Sequence, residues 1–175
     1  PWLPAGVTAV VEGGASRGQS AAAGVRWLDA QDPAGRDRPV LVHDGARPLV
    51  SPDLVAAVAE AAWRHGAALP VLQVAETLKR VTDGLVLETV DRSTLAAAQT
   101  PQGARRGVLL DAWTAYPPEV PPEFTDEAAL LEACRIPVHA IPGEPANIKV
   151  TLPDDLRRAE RALAPAAVRV GLGHD

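Results

Sequence analysis

Short runs of Val and Leu alternate along the chain with Ala-rich stretches whose apolar positions recur at helical spacing. Apolar runs of strand length, each followed by such a stretch, mark βα units on a largely parallel sheet, so the pattern predicts an α/β protein. Val7 to Glu12 reads as a strand, Gln19 to Ala30 as a helix, and Pro39 to His43 as a buried strand too apolar to face water. Ser51 is suited to cap a helix running to His65 with Asp53 in its first turn, and Ala67 to Val74 reads as the next strand.

The rhythm breaks between Glu76 and Arg92, where Leu78, Val81, Leu85, Leu87 and Val90 sit among polar residues around an Asp83-Gly84 turn signal. That segment is expected to form a projecting hairpin arm. Further on, Thr125-Asp126-Glu127-Ala128 sets a hydroxyl and two acids at the start of a helix running to about Cys134. Thr151 is suited to cap a last helix containing Asp154, Asp155 and Leu156, with Pro153 tolerated in its first turn. Pro117, Pro118, Pro121 and Pro122 make a stiff loop, a connection rather than a domain boundary.

Composition narrows this picture. A chain of 175 residues is about one domain, and one core of that size buries roughly 70% of its unfolded surface. Apolar residues make up 47% but aromatics only 3%, so Ala, Val and Leu must fill most of the core. A net charge of −5 with acids and bases interspersed argues against a nucleic-acid surface and favours small-molecule partners. The single cysteine, Cys134, excludes an internal disulfide. No segment resembles a signal peptide or a membrane span, so a cytoplasmic location is the expectation.

Candidate chemistry gathers where apolar runs end. Val40 to Val42 leads straight into His43-Asp44-Gly45-Ala46-Arg47-Pro48, which puts a carboxylate and a guanidinium at a strand's carboxyl end, where open α/β sheets bind ligands. Asp44 is able to hold a magnesium ion or a substrate hydroxyl, and Arg47 a phosphate through its fork of donors. A structural Asp-Arg pair pinning the loop is the competing use of the same residues. Gly13 to Ser20 follows the first expected strand and opens a helix, so its amides can meet a nucleotide, although the spacing is neither that of a Walker loop nor of a dinucleotide fingerprint. Asn147 to Thr151 is expected to end a further strand with Lys149, a point charge suited to phosphate oxygen. The Thr100 hydroxyl in Thr100-Pro101-Gln102 can face the same crevice. His43, His65, His139 and Cys134 have no zinc-ligand spacing, and neither Ser20 nor Ser93 lies in a nucleophile elbow.

Taken together and in order, Gly-Gly-x-x-Arg-x-x-Ser, His-Asp-Gly-Ala-Arg-Pro, Glu-Thr-Leu-Lys, Val-Asp-Arg, Gln-Thr-Pro-Gln, Thr-Asp-Glu-Ala and Asn-Ile-Lys-Val-Thr resemble the methylerythritol phosphate cytidylyltransferases over about Val7 to Leu163. The resemblance implies a Rossmann-like nucleotidyltransferase fold and cytidylyl transfer from CTP to 2-C-methyl-D-erythritol 4-phosphate with magnesium. It also implies that Gly14 and Ser20 contact cytosine, that Gly45 lies by the ribose, and that Asp44, Arg47, Thr100, Thr125 and Lys149 surround the sugar phosphate. Asp44, Arg47 and Lys149 are the residues expected to carry the chemistry. Ala15 departs from the polar residue often found at its place. The arm, 76–92, is expected to cross to a second subunit, so that Thr77 and Arg92 reach the partner's substrate and the protein is a homodimer.

The family's glycine-rich triphosphate loop and its lysine have no counterpart here, and two βα units of roughly 30 residues each are expected before Pro1. At the other end, Arg169 to Asp175 resembles the opening of the cyclodiphosphate synthases, whose metal pair would begin with Asp175. The expected organisation is therefore a cytidylyltransferase domain over residues 1–167 and the start of a second domain over 168–175. A ribitol 5-phosphate cytidylyltransferase and a silent module that only binds sugar phosphate or dimerises are the competing readings.

Overall fold

A computed structural model of the chain describes residues 6–164; Asp175, the other residues of the expected second domain and Pro1 to Ala5 lie outside that range. The first helix, α1, spans Arg17–Gln31, and Ser16 caps it by accepting from the Gln19 amide. The strand β1 (Pro39–Val42) follows, then α2 (Pro52–His65), whose cap is Ser51 with Asp53 in the first turn as the sequence predicts. Next come β2 (Ala67–Gln73), the arm strands β3 (Leu78–Thr82) and β4 (Leu85–Val90), then β5 (Ala96–Ala98) and β6 (Gln102–Arg105). The helices α3 (Arg106–Ala115) and α4 (Glu127–Ala133), the strand β7 (His139–Pro142) and α5 (Pro153–Leu163) complete the described chain.

The α/β class holds, but the pairing is mixed rather than largely parallel. β6 runs antiparallel to β1 and to β2, β5 runs antiparallel to β2, and among the described strands β7 alone pairs parallel with β2. β1, β2 and β7 therefore point the same way, as βα units require. Ala68 pairs with both Gly103 and His139, and Val71 with both Ala98 and Pro142, so β5 and β6 share the side of β2 opposite β7. This returning segment, broken at 99–101, separates β1 from β2 and converts their contacts to antiparallel ones.

Four other expectations are corrected. Val7 to Glu12 forms no strand, because no described strand pairs with it, and Val10 stays 75% exposed. A cavity of about 370 Å³, lined by Val11, Val25, Leu28, Val40 and Val42 among others, lies in this region beside β1, which is half-buried rather than fully buried. Asn147 to Thr151 is irregular too: the strand in that region is β7, and the chain then leaves the sheet to bond through the Val150 amide to the Ala46 carbonyl at 2.7 Å. Finally, α5 starts after Leu152. Its Asp155 reaches back to the Thr151 and Leu152 amides and takes the Thr151 hydroxyl as a donor.

Helices cover both faces of the sheet. Ala22, Val25, Ala67, Ala104, Leu109, Trp113, Leu130 and Leu131 form the larger core between α1, α3, α4 and one face, while Ala61, Ala62 and Ala68 pack with Ile141 under α2 on the other. Small side chains dominate, and the helices sit correspondingly close. A Cβ on Gly103 would stand 3.0 Å from Val58 Cγ1 and 3.1 Å from Ala62 Cβ, so α2 would have to give by a few tenths of an ångström to accept one. The arm makes its own two-stranded sheet, with Asp83 and Gly84 both at positive φ (50° and 78°) in a two-residue turn.

Candidate active site

The turn after β1 and the break between β5 and β6 meet at the carboxyl end of the same-direction strands. Asp44 donates its amide to Thr100 Oγ1 at 3.0 Å, which fixes the start of that turn against the break. Its carboxylate is engaged at both oxygens: Arg17 Nε donates to Oδ1 at 3.2 Å and Lys149 Nζ lies 3.0 Å from Oδ2. Burial pushes the Asp44 carboxyl up, but Lys149 and Arg17 outweigh it and hold the group below the usual carboxylate range. Asp44 is thus ionised at neutral pH and fixed in orientation.

Lys149 reaches this position through a buried polar scaffold. Asn147, fully buried, donates to the Thr100 carbonyl at 2.8 Å. Gln99 donates to the carbonyls of Glu144 and Asn147 at 2.9 and 3.2 Å and accepts from the Glu144 amide at 3.1 Å. A Cβ on Gly143 would fall 2.5 Å from the Gln99 amide oxygen, so glycine is what lets this scaffold close. Both ends of the Gln99 amide and the Asn147 nitrogen find main-chain partners, the condition under which burying them is tolerable, while the buried Asn147 Oδ1 has none.

Arg47 extends under the same floor, its Nη1 donating to the Asn147 carbonyl at 2.8 Å and its Nη2 to that of Ala98 at 3.4 Å. Its fork is therefore partly committed to the main chain. Burial lowers its pKa, and Asp44 opposes that only in part. On the far side, Asp126 caps α4 at the Ala129 amide and accepts from Gln102 at 2.8 Å, while the Ala128 amide donates to Gln102 at 2.9 Å. Thr125, one residue ahead of that cap, is exposed at the rim.

Asp44, Arg47, Thr100, Thr125 and Lys149 consequently line one cavity of about 130 Å³ together with Arg17, Gln99, Gln102 and Asp126. Gly45, next to Asp44, is exposed and has open space where a Cβ would stand, so an alanine would fit. Gly14 lies in the turn before α1, its amide donating to Ser20 Oγ at 3.1 Å, and Ser20 Oγ donates in turn to the Ser16 carbonyl at 3.0 Å. Thr77 and Arg92, both exposed, line no part of this cavity; Arg92 borders a separate hollow with Gln73 to Ala75, Ser93 and Leu95.

Arg17, Gln99, Gln102 and Asp126 line the cavity although reading the sequence did not single them out as site residues, and Glu127 stands behind Arg17. Arg17 donates through Nη1 and Nη2 to both oxygens of Glu127, at 2.8 and 2.9 Å, from a position 110 residues away. A signal was present: Arg17 is the first residue of a helix, where the peptide dipoles disfavour a cation, so an arginine there calls for a carboxylate facing it.

The profile of the family described as 2-C-methyl-D-erythritol 4-phosphate cytidylyltransferase matches residues 3–164. The chain belongs to this family. The bifunctional enzyme IspD/IspF of Anaeromyxobacter dehalogenans is 50% identical over 169 residues, a match that covers 94% of this chain and 42% of that protein. The corresponding enzyme of Rhodopseudomonas palustris strain HaA2 is 42% identical over 168 residues, covering 94% of this chain and 41% of that one. The chain thus spans less than half the length of these relatives. Among solved structures, the 2-C-methyl-D-erythritol 4-phosphate cytidylyltransferase of Thermus thermophilus superposes with a TM-score of 0.78 at 42% identity, covering 93% of this chain and 76% of that one. The bifunctional IspDF of Campylobacter jejuni gives 0.67 at 28% identity, covering 85% and 36%. These likenesses establish the cytidylyltransferase fold for the mixed sheet and its helices.

Proposed function

We propose that the protein carrying this chain transfers the cytidylyl group of CTP to 2-C-methyl-D-erythritol 4-phosphate, forming 4-diphosphocytidyl-2-C-methyl-D-erythritol and pyrophosphate. The observation that carries this is the small polar cavity in which Lys149, Arg47 and Arg17 surround one ionised aspartate beside two threonines. In the reaction an oxygen of the acceptor phosphate forms a bond to the α-phosphorus of CTP, and the bond from that phosphorus to the bridging oxygen of pyrophosphate breaks. A phosphate monoester is already largely anionic at neutral pH, so the attacking oxygen needs no strong base. What it needs is alignment and neutralised charge. Lys149 and Arg47 would hold the acceptor phosphate, Asp44, Thr100 and Thr125 its hydroxyls, Gly14 and Ser20 the cytosine, and Gly45 the ribose edge.

Both Asp44 oxygens are taken by Arg17 and Lys149, so magnesium would be of the nucleotide-borne kind, with phosphates and water making up its shell. The ion would neutralise triphosphate charge when bound. The arm supports a homodimer, since Val81, Leu85, Val86 and Leu87 are each at least 55% exposed and give it an apolar surface with no cover from the described chain. Thr77 and Arg92 would then serve the partner's cavity. No helix among the described residues is long and apolar enough to cross a membrane, in keeping with a cytoplasmic enzyme. The bifunctional relatives support reading Arg169 to Asp175 as the opening of a synthase domain with Asp175 as a metal ligand. They also favour methylerythritol phosphate over ribitol 5-phosphate.

The test is magnesium-dependent pyrophosphate release by the full-length protein from CTP with either acceptor. Release with methylerythritol phosphate is expected. Release with ribitol 5-phosphate alone would replace the acceptor, and none with either, despite sugar-phosphate binding, would leave a binding module.

A further inference from the structure

Glu127 has no role in the substrate assignment above, yet it is a carboxylate only 4% exposed at the first position of α4. Burying a charge is costly unless it is paired with good geometry. Here the pairing is two-pronged, Arg17 Nη1 and Nη2 on Oε1 and Oε2, which is the strongest arrangement a guanidinium offers. The third donor of the same guanidinium, Nε, points the other way, at Asp44 Oδ1. The result is a line of alternating charge, Glu127, Arg17, Asp44, Lys149, that begins inside the protein and ends at a lysine whose side chain is 47% exposed. Asp44 lies on a turn, where its main chain alone would leave the carboxylate free to rotate. Arg17 on one oxygen and Lys149 on the other leave it a single orientation.

We propose that Arg17 and Glu127 are positioning residues: Glu127 locks the plane of the Arg17 guanidinium, and Arg17 in turn orients Asp44 so that its second oxygen holds Lys149 at the mouth of the cavity. The inference rests on the reading of that cavity as the acceptor-phosphate site. It assigns neither residue to the substrate. Because Arg17 directly follows the turn that carries Gly14 and Ser16, the same side chain also ties the proposed nucleotide side of the site to the acceptor side. A plain clamp between α1 and α4 would make the same contacts but would have no consequence that passes through Asp44.

The experiment separates these two cases with Glu127→Gln and Arg17→Lys in the full-length protein, each made alone and in an Asp44→Asn background. Lysine keeps the charge of Arg17 but cannot hold two carboxylates in one plane. Calorimetric binding of methylerythritol 4-phosphate should weaken about tenfold in each single variant, as expected when a charged hydrogen-bond partner is disturbed. In the Asp44→Asn background the same changes should weaken it by no more than about twofold, the non-additivity of residues acting through a shared group. Equal losses in both backgrounds would reduce the pair to a clamp. Crystal structures of the single variants supply a readout that needs no ligand: the Asp44 carboxylate should turn away from Lys149, and an unmoved carboxylate would overturn the inference. If the wild type binds no methylerythritol phosphate, the functional reading falls while these structures still decide this one. Should Arg17→Lys fail to fold, Glu127→Gln, nearly the same size and shape, carries the test.

Discussion

The polar cavity around Asp44 and the arm are built on opposite principles. The cavity takes side chains from five separated stretches of chain, and buried partners stand behind three of them: Thr100 for the Asp44 amide, Gln99 and Asn147 for the Lys149 segment, Gln102 for the start of α4. The arm is one local hairpin. Its ladder pairs Arg80 with Glu88 and Val81 with Val86, all of them more than half exposed, and nothing else in the described chain packs over it. A site closed within one chain fixes its residues by long-range buried bonds, whereas residues on an exposed hairpin must acquire their surroundings from elsewhere. In the proposed dimer, damage to the cavity is expected to act within the chain that bears it, and damage to the arm on a neighbour.

The largest effect should come from Lys149→Ala. Losing a charge-assisted partner of the acceptor phosphate costs about 1.5–3 kcal/mol, or about 10- to 150-fold in kcat/KM for methylerythritol phosphate. The Tm should hardly move, because the side chain is half exposed and the scaffold under it is untouched. Unchanged kinetics would make Lys149 a solvated surface lysine and dissolve the cavity side of the comparison.

A smaller loss, about tenfold, is expected for Arg92→Ala, which removes an exposed arginine from the base of the arm. Its diagnostic is complementation. Mixing Arg92→Ala chains with Lys149→Ala chains under exchange should restore part of the activity, because a mixed dimer would hold one intact cavity. No recovery despite demonstrated exchange would place both residues in the same chain's site and erase the contrast between the two regions.

How much of this is legible in the sequence follows the same division. The arm is readable because it is local: Asp83-Gly84 names the turn and the apolar spacing names the strands. The caps at Ser51 and Asp155 also depend on near neighbours, although Asp155 is the acceptor in a place where the sequence suggests Thr151 as the cap. Asp44, Arg47, Thr100, Thr125 and Lys149 share one cavity as the family resemblance implies. What stays hidden is non-local. β5 and β6 are made of Ala, Gln, Gly and Arg, which carry little strand signal, and they pair only because β1 and β2 present edges to them. Val7 to Glu12 has the opposite character, an apolar stretch with no described partner. The stacking of His65 on His139, with ring centroids 3.7 Å apart, likewise follows from where α2 ends and β7 begins rather than from any local motif.

The smallest effect tests whether the arm's base is organised locally, as the comparison requires. Asp91 precedes the single turn Arg92–Thr94 and accepts from both the amide and the hydroxyl of Ser93, at 2.9 and 3.0 Å. Those bonds favour the ionised form and lower its pKa from the ordinary 3.8. A depressed carboxylate stabilises the fold above its unfolded pKa and loses that contribution as the pH falls through the lower, folded value. The group is fully exposed, so solvent and salt screen the effect and global stability should not register it. The Ser93 amide resonance should register it, titrating at a pH below the ordinary carboxylate value while resonances of Thr100 and Asn147 in the cavity stay still through the same step. Asp91→Asn keeps an acceptor for the amide but nothing that titrates, so the step should vanish with the turn intact. A step that survives in Asp91→Asn would mean that the proton binds elsewhere, and a step shared with Thr100 would mean that the arm's base and the cavity are one cooperative unit after all.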